Sequence, residues 1–195
     1  MTSGRSGQIL SAMRLVGIEP IVVDVPLREP VHGVHGVATV QRSVLVRAVS
    51  DDGGEGWGNV DPTPGYSAMS PGEVHDTVQR IGPALSDADK QGGLLRTLAM
   101  VECAAAAGLR VVIGHGFGLT FSTLAEVAVA AVSAAIVDGC EAVGPLKMAG
   151  DVVVEPARLD AGSLRLDSRP GPGATLDPDA LKRYRVGPET KEDSR

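Results

Sequence analysis

The hydrophobic pattern changes period near residue 86, and that change limits the folds open to this chain more than any other feature. Before it, apolar and polar residues alternate in runs bounded by turn signals. After it, short unbroken apolar runs take turns with longer stretches suited to helices. A period of two describes half-buried strands, whereas unbroken runs describe strands covered on both faces. The expected order is three strands and a helix, followed by a β/α alternation.

The first part is strand-prone from Met13 to Leu27, through Val16, Ile18, Ile21, Val22, Val23 and Val25, until Pro26 and Pro30 break the run. Pro30–Gly36 reads as a mobile Gly-rich loop. Val37–Val49 is the clearest strand, with Val44, Val46 and Ala48 alternating against Ser43, Leu45 and Arg47. Asp51-Asp52-Gly53-Gly54 signals a hairpin turn, and Gly56–Val60 is the returning strand, closed by Pro62–Tyr66. Ser70, Pro71 and Glu73 open a helix: the Ser caps, the Pro suits the first helical position and the Glu completes a capping box. That helix is expected to reach about Ile81 and stop at Gly82-Pro83.

The second part begins with a helix over Leu94–Ala107, stopped by Gly108. Arg110–Gly114 is a short apolar strand and His115–Gly118 a loop. Thr120 or Ser122 caps a helix that runs to about Ile136, and Cys140–Val143 is a further short strand. Val152–Val154 is expected to turn back at Asp160–Gly162 and pair with Leu164–Leu166. Asp177-Pro178 opens a last short helix to Tyr184. The organisation expected is an α+β unit over residues 12–85, a β/α unit over 86–150 and a returning segment over 151–186, with flexible tails at 1–11 and 187–195.

Aromatic residues make up only 3% of the chain, so its core must be built from small and branched side chains. A net charge of −6 without any cluster of Lys and Arg argues against nucleic acid as a partner. The longest apolar run, Val127–Val137, falls short of the roughly 20 residues needed to cross a bilayer. The polar start lacks the apolar stretch of a signal peptide. Cys103 and Cys140 have no CxxC spacing and read as reduced, packed residues of a cytoplasmic protein.

Two segments carry chemistry: Asp87–Gly93 and Val111–His115, each read as the end of a strand and the start of its loop. In (β/α) barrels that end of the sheet holds the active site. On neighbouring parallel strands, Asp87 and His115 would stand roughly 5 Å apart at the backbone. The carboxylate would orient the imidazole and stabilise its charged form, and the His could exchange a proton with a substrate carbon. On spacing alone, an Asp or His in such a loop is more often a cap or a solvated side chain. His32 and His35 form an HxxH pair without the third and fourth ligands of a zinc site. Glu102, Glu126 and Asp138 read as solvated or capping charges, and Lys90 as a solvated charge at a helix start.

Val44-Leu45-Val46-Arg47 through Asp51-Asp52-Gly53 to Gly56-Trp57-Gly58-Asn59 resembles the capping-domain hairpin of the enolase superfamily. Lys90-Gln91-Gly92-Gly93 with Gly114-His115, Gly144-Pro145-Leu146 through Val154-Glu155-Pro156, and Pro170-Gly171-Pro172-Gly173 resemble the closing part of its mandelate racemase/muconate lactonizing branch. The resemblance implies an α/β protein with an α+β part: an N-terminal capping domain plus a partial C-terminal (β/α) barrel whose middle is absent. It places Asp87 and His115 at the dyad of the mandelate racemase type, and Glu141 near a last-strand acid. It makes the loop of His32 and His35, by default a flexible hairpin loop, close over the substrate, and turns Tyr66, which reads equally as a packing residue, towards the site. It implies Mg²⁺, although this chain has no counterpart of the family's three carboxylate ligands. The activity implied is abstraction of the α-proton of a small carboxylate or sugar acid, as in racemases and dehydratases. The alternatives are a catalytically inactive remnant and a module that binds a small molecule or partner. A truncated sheet would also leave strand edges open to self-association.

Overall fold

The computed structural model describes residues 14–33, 36–63, 67–85, 94–114 and 117–187. An antiparallel sheet of order β1-β2-β3 comes first: β1 (Leu15–Gly33), β2 (Gly36–Ser50) and β3 (Glu55–Val60). The expected loop at Pro30–Gly36 is instead the far end of a long hairpin, in which Val31 pairs with Ala38, His32 with Val37 and Gly33 with Gly36. The prolines do not end β1, because it has a sheet neighbour on one side only and its register shifts between Pro26 and Val31. Edge positions and bulges are where a strand tolerates a residue without an N–H. The β2–β3 turn forms as expected, with Gly53 at φ 83°, a conformation that suits glycine.

Helix α1 (Pro71–Leu85) opens with the expected capping box. The Ser70 backbone N–H donates to Glu73 Oε2 at 2.8 Å, and the Glu73 N–H donates to Ser70 Oγ at 3.2 Å. The helix continues past Gly82-Pro83, four residues beyond the expected end. Gly82 is buried against β1, and a Cβ there would meet Ile18 Cβ at 3.4 Å. The absent side chain lets α1 lie close to the sheet, and that packing outweighs the propensity of Gly-Pro to stop a helix.

Because β-strand side chains alternate, the sheet is covered differently on its two faces. Ile21, Val23, Val25, Leu27 and Leu45 share a core with Leu119, Phe121, Met148, Val152 and Val153. Val22 and Val44, also buried, fall in the opposite phase, and α1 packs against both strands.

The rest of the chain holds α2 (Leu94–Ala106), β4 (Val111–Ile113), α3 (Thr120–Val132), β5 (Ile136–Cys140), the single turn α4 (Gly144–Lys147) and α5 (Pro178–Tyr184). Gly108 ends α2 at φ 75°. Strands β4 and β5 are parallel and joined through α3, a βαβ unit. Helix α3 stops at Val132, before the expected Ile136, and Ile136–Asp138 belongs to β5. The buried Ser133 follows α3, and its hydroxyl donates to Glu102 Oε1 of α2 at 3.1 Å. Glu102, read as a solvated or capping charge, is exposed and accepts this bond from the residue that ends α3. Cys140 is half-buried, but Cys103 is exposed rather than packed, and both are free thiols.

The expected pairing of Val152–Val154 with Leu164–Leu166 does not form; Val153 pairs with Leu176 instead. The turn itself is present, with Asp160 and Ser163 exchanging both backbone hydrogen bonds at 2.9 Å. The later segment wins because Leu176 packs against the core, whereas Leu166 is 41% exposed. Asp177 caps α5 as expected, accepting from the N–H groups of Asp179 and Ala180. The chain returns to β1 by two contacts, Ala149 N–H to Pro26 O and Val186 N–H to Val22 O.

Candidate active site

The parallel pair β4–β5 sends two loops out from its C-terminal end, the end at which α/β sheets bind ligands. One leaves Ile113 through Gly114 towards Phe117; the other leaves Cys140 through Glu141 to α4. They are stitched together at their roots, because the Glu141 N–H donates to Ile113 O at 2.8 Å. Farther out, Lys147 Nζ lies 4.4 Å from the centre of the Phe117 ring. The Glu141 side chain is exposed. Burial pushes the Cys140 thiol up, and the charge of Glu126 adds to the effect, so this sulfur stays protonated and is a poor nucleophile.

His115 follows Ile113 by two residues and, with Asp87, His35, Tyr66 and Lys90, lies outside the described residues. The residues leading to Asp87 are the end of α1, helical to Leu85, and not the strand expected there. His32 is exposed near the tip of the β1–β2 hairpin. Among the described residues, no three His, Cys, Asp or Glu side chains converge as metal ligands. Those residues do not fit the Mg²⁺ implied by the resemblance.

Helix α3 follows β4 in the chain and packs against β5 and β3. Neither expected cap, Thr120 nor Ser122, serves it. Leu119 is the N-cap residue and makes no side-chain cap. Distant residues supply the acceptors instead: Asp151 Oδ2 takes the Thr120 N–H at 3.0 Å and the Thr120 hydroxyl at 2.8 Å, while Asn59 Oδ1 takes the Ser122 N–H at 2.8 Å. Helix N–H groups left without such acceptors are costly when buried. One cap therefore comes from β3 and the other from the returning segment, so both are tied to the same helix end. Ser43 Oγ and Ser122 Oγ both donate to Asp61, extending the network into β2. Burial pushes the Asp151 carboxyl above the usual range, against the lowering effect of its hydrogen bonds from Thr120 and Val152.

A cleft of about 530 Å³ opens beside Asp151, between Arg28 of β1 and residues 145–159. That volume is in the range of small-molecule sites. Arg28, Asp151 and Arg158 were not singled out from sequence. For Arg28 the signal was there: the alternation of β1 continues past Pro26, so the buried Leu27 turns its neighbour outward.

A three-stranded antiparallel sheet backed by a helix, joined to a parallel β/α unit, defines a mixed α/β protein. The family model for enolase C-terminal domain-like proteins matches residues 79–180, just over half of the chain. The chain belongs to that family, in the mandelate racemase/muconate lactonizing branch of the enolase superfamily. Similar solved structures include an N-succinyl Arg/Lys racemase from Bacillus cereus, 13% identical with a TM-score of 0.80, over 90% of this chain and 99% of that one. They also include the muconate lactonizing enzyme from Pseudomonas fluorescens complexed with muconolactone, 14% identical with a TM-score of 0.72, over 90% and 100%. That from Klebsiella pneumoniae is 13% identical with a TM-score of 0.72, over 89% and 100%. At such identities these structures establish likeness of fold. No curated protein matches the chain.

Proposed function

We propose that this chain binds a small carboxylate at the C-terminal end of the β4–β5 pair and exchanges its α-proton through His115, with Asp87 orienting the imidazole. The observation that carries the reading is the stitch from Glu141 N–H to Ile113 O, which sets the root of the His115 loop beside the loop of Glu141. Membership of the family supports the reaction class, and the muconolactone held by one similar enzyme supports a small acid as ligand. The molecule is read as a capping unit over residues 12–85 and a partial barrel over 86–150, closed by the segment 151–186. Its described parallel sheet of two strands agrees with that reading. His32, His35 and Tyr66 are assigned to a lid on the substrate side.

Removing an α-proton builds charge on a carboxylate that is already ionised. A positioned His supplies about 10²–10⁴-fold as general base, far less than the roughly 10⁶-fold or more typical of enzymes. No step is routed through a metal, because the described residues offer no carboxylate cluster for one. The expected activity is therefore slow exchange. The same lack of a cluster favours a second reading, a binding module without chemistry.

Solvent deuterium incorporation at the α-carbon of candidate acids, followed by NMR, separates the two. Incorporation by the wild type and its loss in His115→Asn is the expected result. Exchange at full rate in that variant would remove the assignment of His115. Binding without any exchange in the wild type would establish the second reading.

A further inference from the structure

We infer that the cleft between β1 and residues 145–159 is an organic-acid site in which Arg28 and Arg158 take the carboxylates of the ligand. This deepens the carboxylate half of the proposed function and uses none of its proton chemistry.

Three observations converge. First, the two guanidinium-bearing residues reach the cleft from different segments, Arg28 from β1 and Arg158 from the returning chain. Both are exposed, and neither has a carboxylate partner among the described residues. A planar guanidinium matches a carboxylate with two parallel hydrogen bonds, so two of them suit a dicarboxylate better than a single point charge. Two cations on one cleft with no carboxylate partner among the described residues are notable in a chain with net charge −6.

Second, the nearby charges are otherwise engaged. Asp151, on the cleft wall, turns Oδ2 to Thr120 and Oδ1 to the Val152 N–H at 2.7 Å. Glu155 lies 3.8 Å from Arg169, and Lys147 lies over Phe117. The lining therefore carries two cations, Arg28 and Arg158, against the one carboxylate of Asp151, whose oxygens are already held by neutral donors.

Third, the remainder of the lining suits a carbon skeleton. Pro145, Leu146, Met148, Pro156 and Leu159 supply apolar surface. The pairing of Leu27 with Met148 and the bond from Ala149 N–H to Pro26 O hold the two walls together. The cleft is thus preformed, and a ligand need not order it. A site with apolar walls and a few placed charges is the usual design for a small organic ion.

Calorimetric titration of the full chain with glutarate, and with its uncharged diamide as control, tests the inference. Glutarate is expected to bind and the diamide not. Arg28→Gln and Arg158→Gln should each weaken glutarate at least about tenfold, the loss of one charge-assisted pair. Raising salt on the unaltered protein should weaken it too, which tests the charge without any substitution. Equal binding of acid and diamide, full affinity in both variants, or no binding at tens of millimolar would each overturn it. The failures are distinguishable: arginine-dependent binding without α-exchange leaves this site and removes the chemistry. Exchange that is lost in His115→Asn but indifferent to both arginines leaves the chemistry and removes this site.

Discussion

Asp151 shows how one side chain holds several parts of the molecule. It accepts the first N–H of α3 and the Thr120 hydroxyl, and that hydroxyl in turn accepts the Ala157 N–H at 2.8 Å. Asp151→Ala would strand these donors in a half-buried place. It should cost about 1–3 kcal/mol in urea unfolding, the penalty of unsatisfied buried groups. The pH dependence is a sharper test. A carboxyl whose folded pKa lies above its unfolded one keeps its proton longer in the folded chain. Its contribution to stability is complete below the ordinary Asp range, near pH 4, and is lost as the pH rises through the raised value. Relative to Asp151→Asn, which cannot ionise, the wild type should lose stability as the pH rises from about 4. A stability difference that stays flat across that interval would count against the assignment.

At the scale of the elements, local chemistry predicted starts better than ends. The capping box of α1 and the Asp177 cap of α5 are written in four or fewer consecutive residues, so both were readable. Asp177→Ala should destabilise the chain by about 1 kcal/mol, the usual worth of such a cap. The expected reading-out is a lower urea midpoint at unchanged slope, and no change at all would mean that packing alone holds α5. The start of α3 defied the same logic because its acceptors, Asn59 and Asp151, are distant in sequence. Pro26, Pro30 and Pro83 were read as breaks, yet edge position and packing against Ile18 kept β1 and α1 going. The proposed dyad of Asp87 and His115 rests on two loop residues and the family's pattern, and both lie outside the described residues. The outward turn of Arg28 was readable from the alternation of β1, but its meeting with Arg158 was not, because that is made by the return of the chain to β1, a long-range pairing that no local spacing encodes.

For the molecule as a whole, the antiparallel sheet is joined to the later elements through the core around Phe121, Leu45 and Val152, while the parallel pair β4–β5 forms a separate sheet. The short β4 has Val112 44% exposed in its centre, and Met100 and Val132 on the flanking helices are 72% and 70% exposed. A (β/α) unit of two described strands cannot cover its own apolar surface as a closed barrel does. The same shortage bears on the metal. Ligands for a hard divalent cation are carboxylates gathered from several strand ends, and the described ends of β4 and β5 bring Glu141 alone. Adding Mg²⁺ to 10 times the roughly millimolar range of weak carboxylate sites should therefore leave the melting temperature unchanged, since a ligand stabilises only in proportion to ln(1 + [L]/Kd). A melting temperature that climbs with Mg²⁺, and does not climb with NaCl of equal ionic strength, would mean that the chain does assemble a cation site. The proposed proton abstraction would then have a charge stabilisation that the proposed dyad of His115 and Asp87 does not supply by itself.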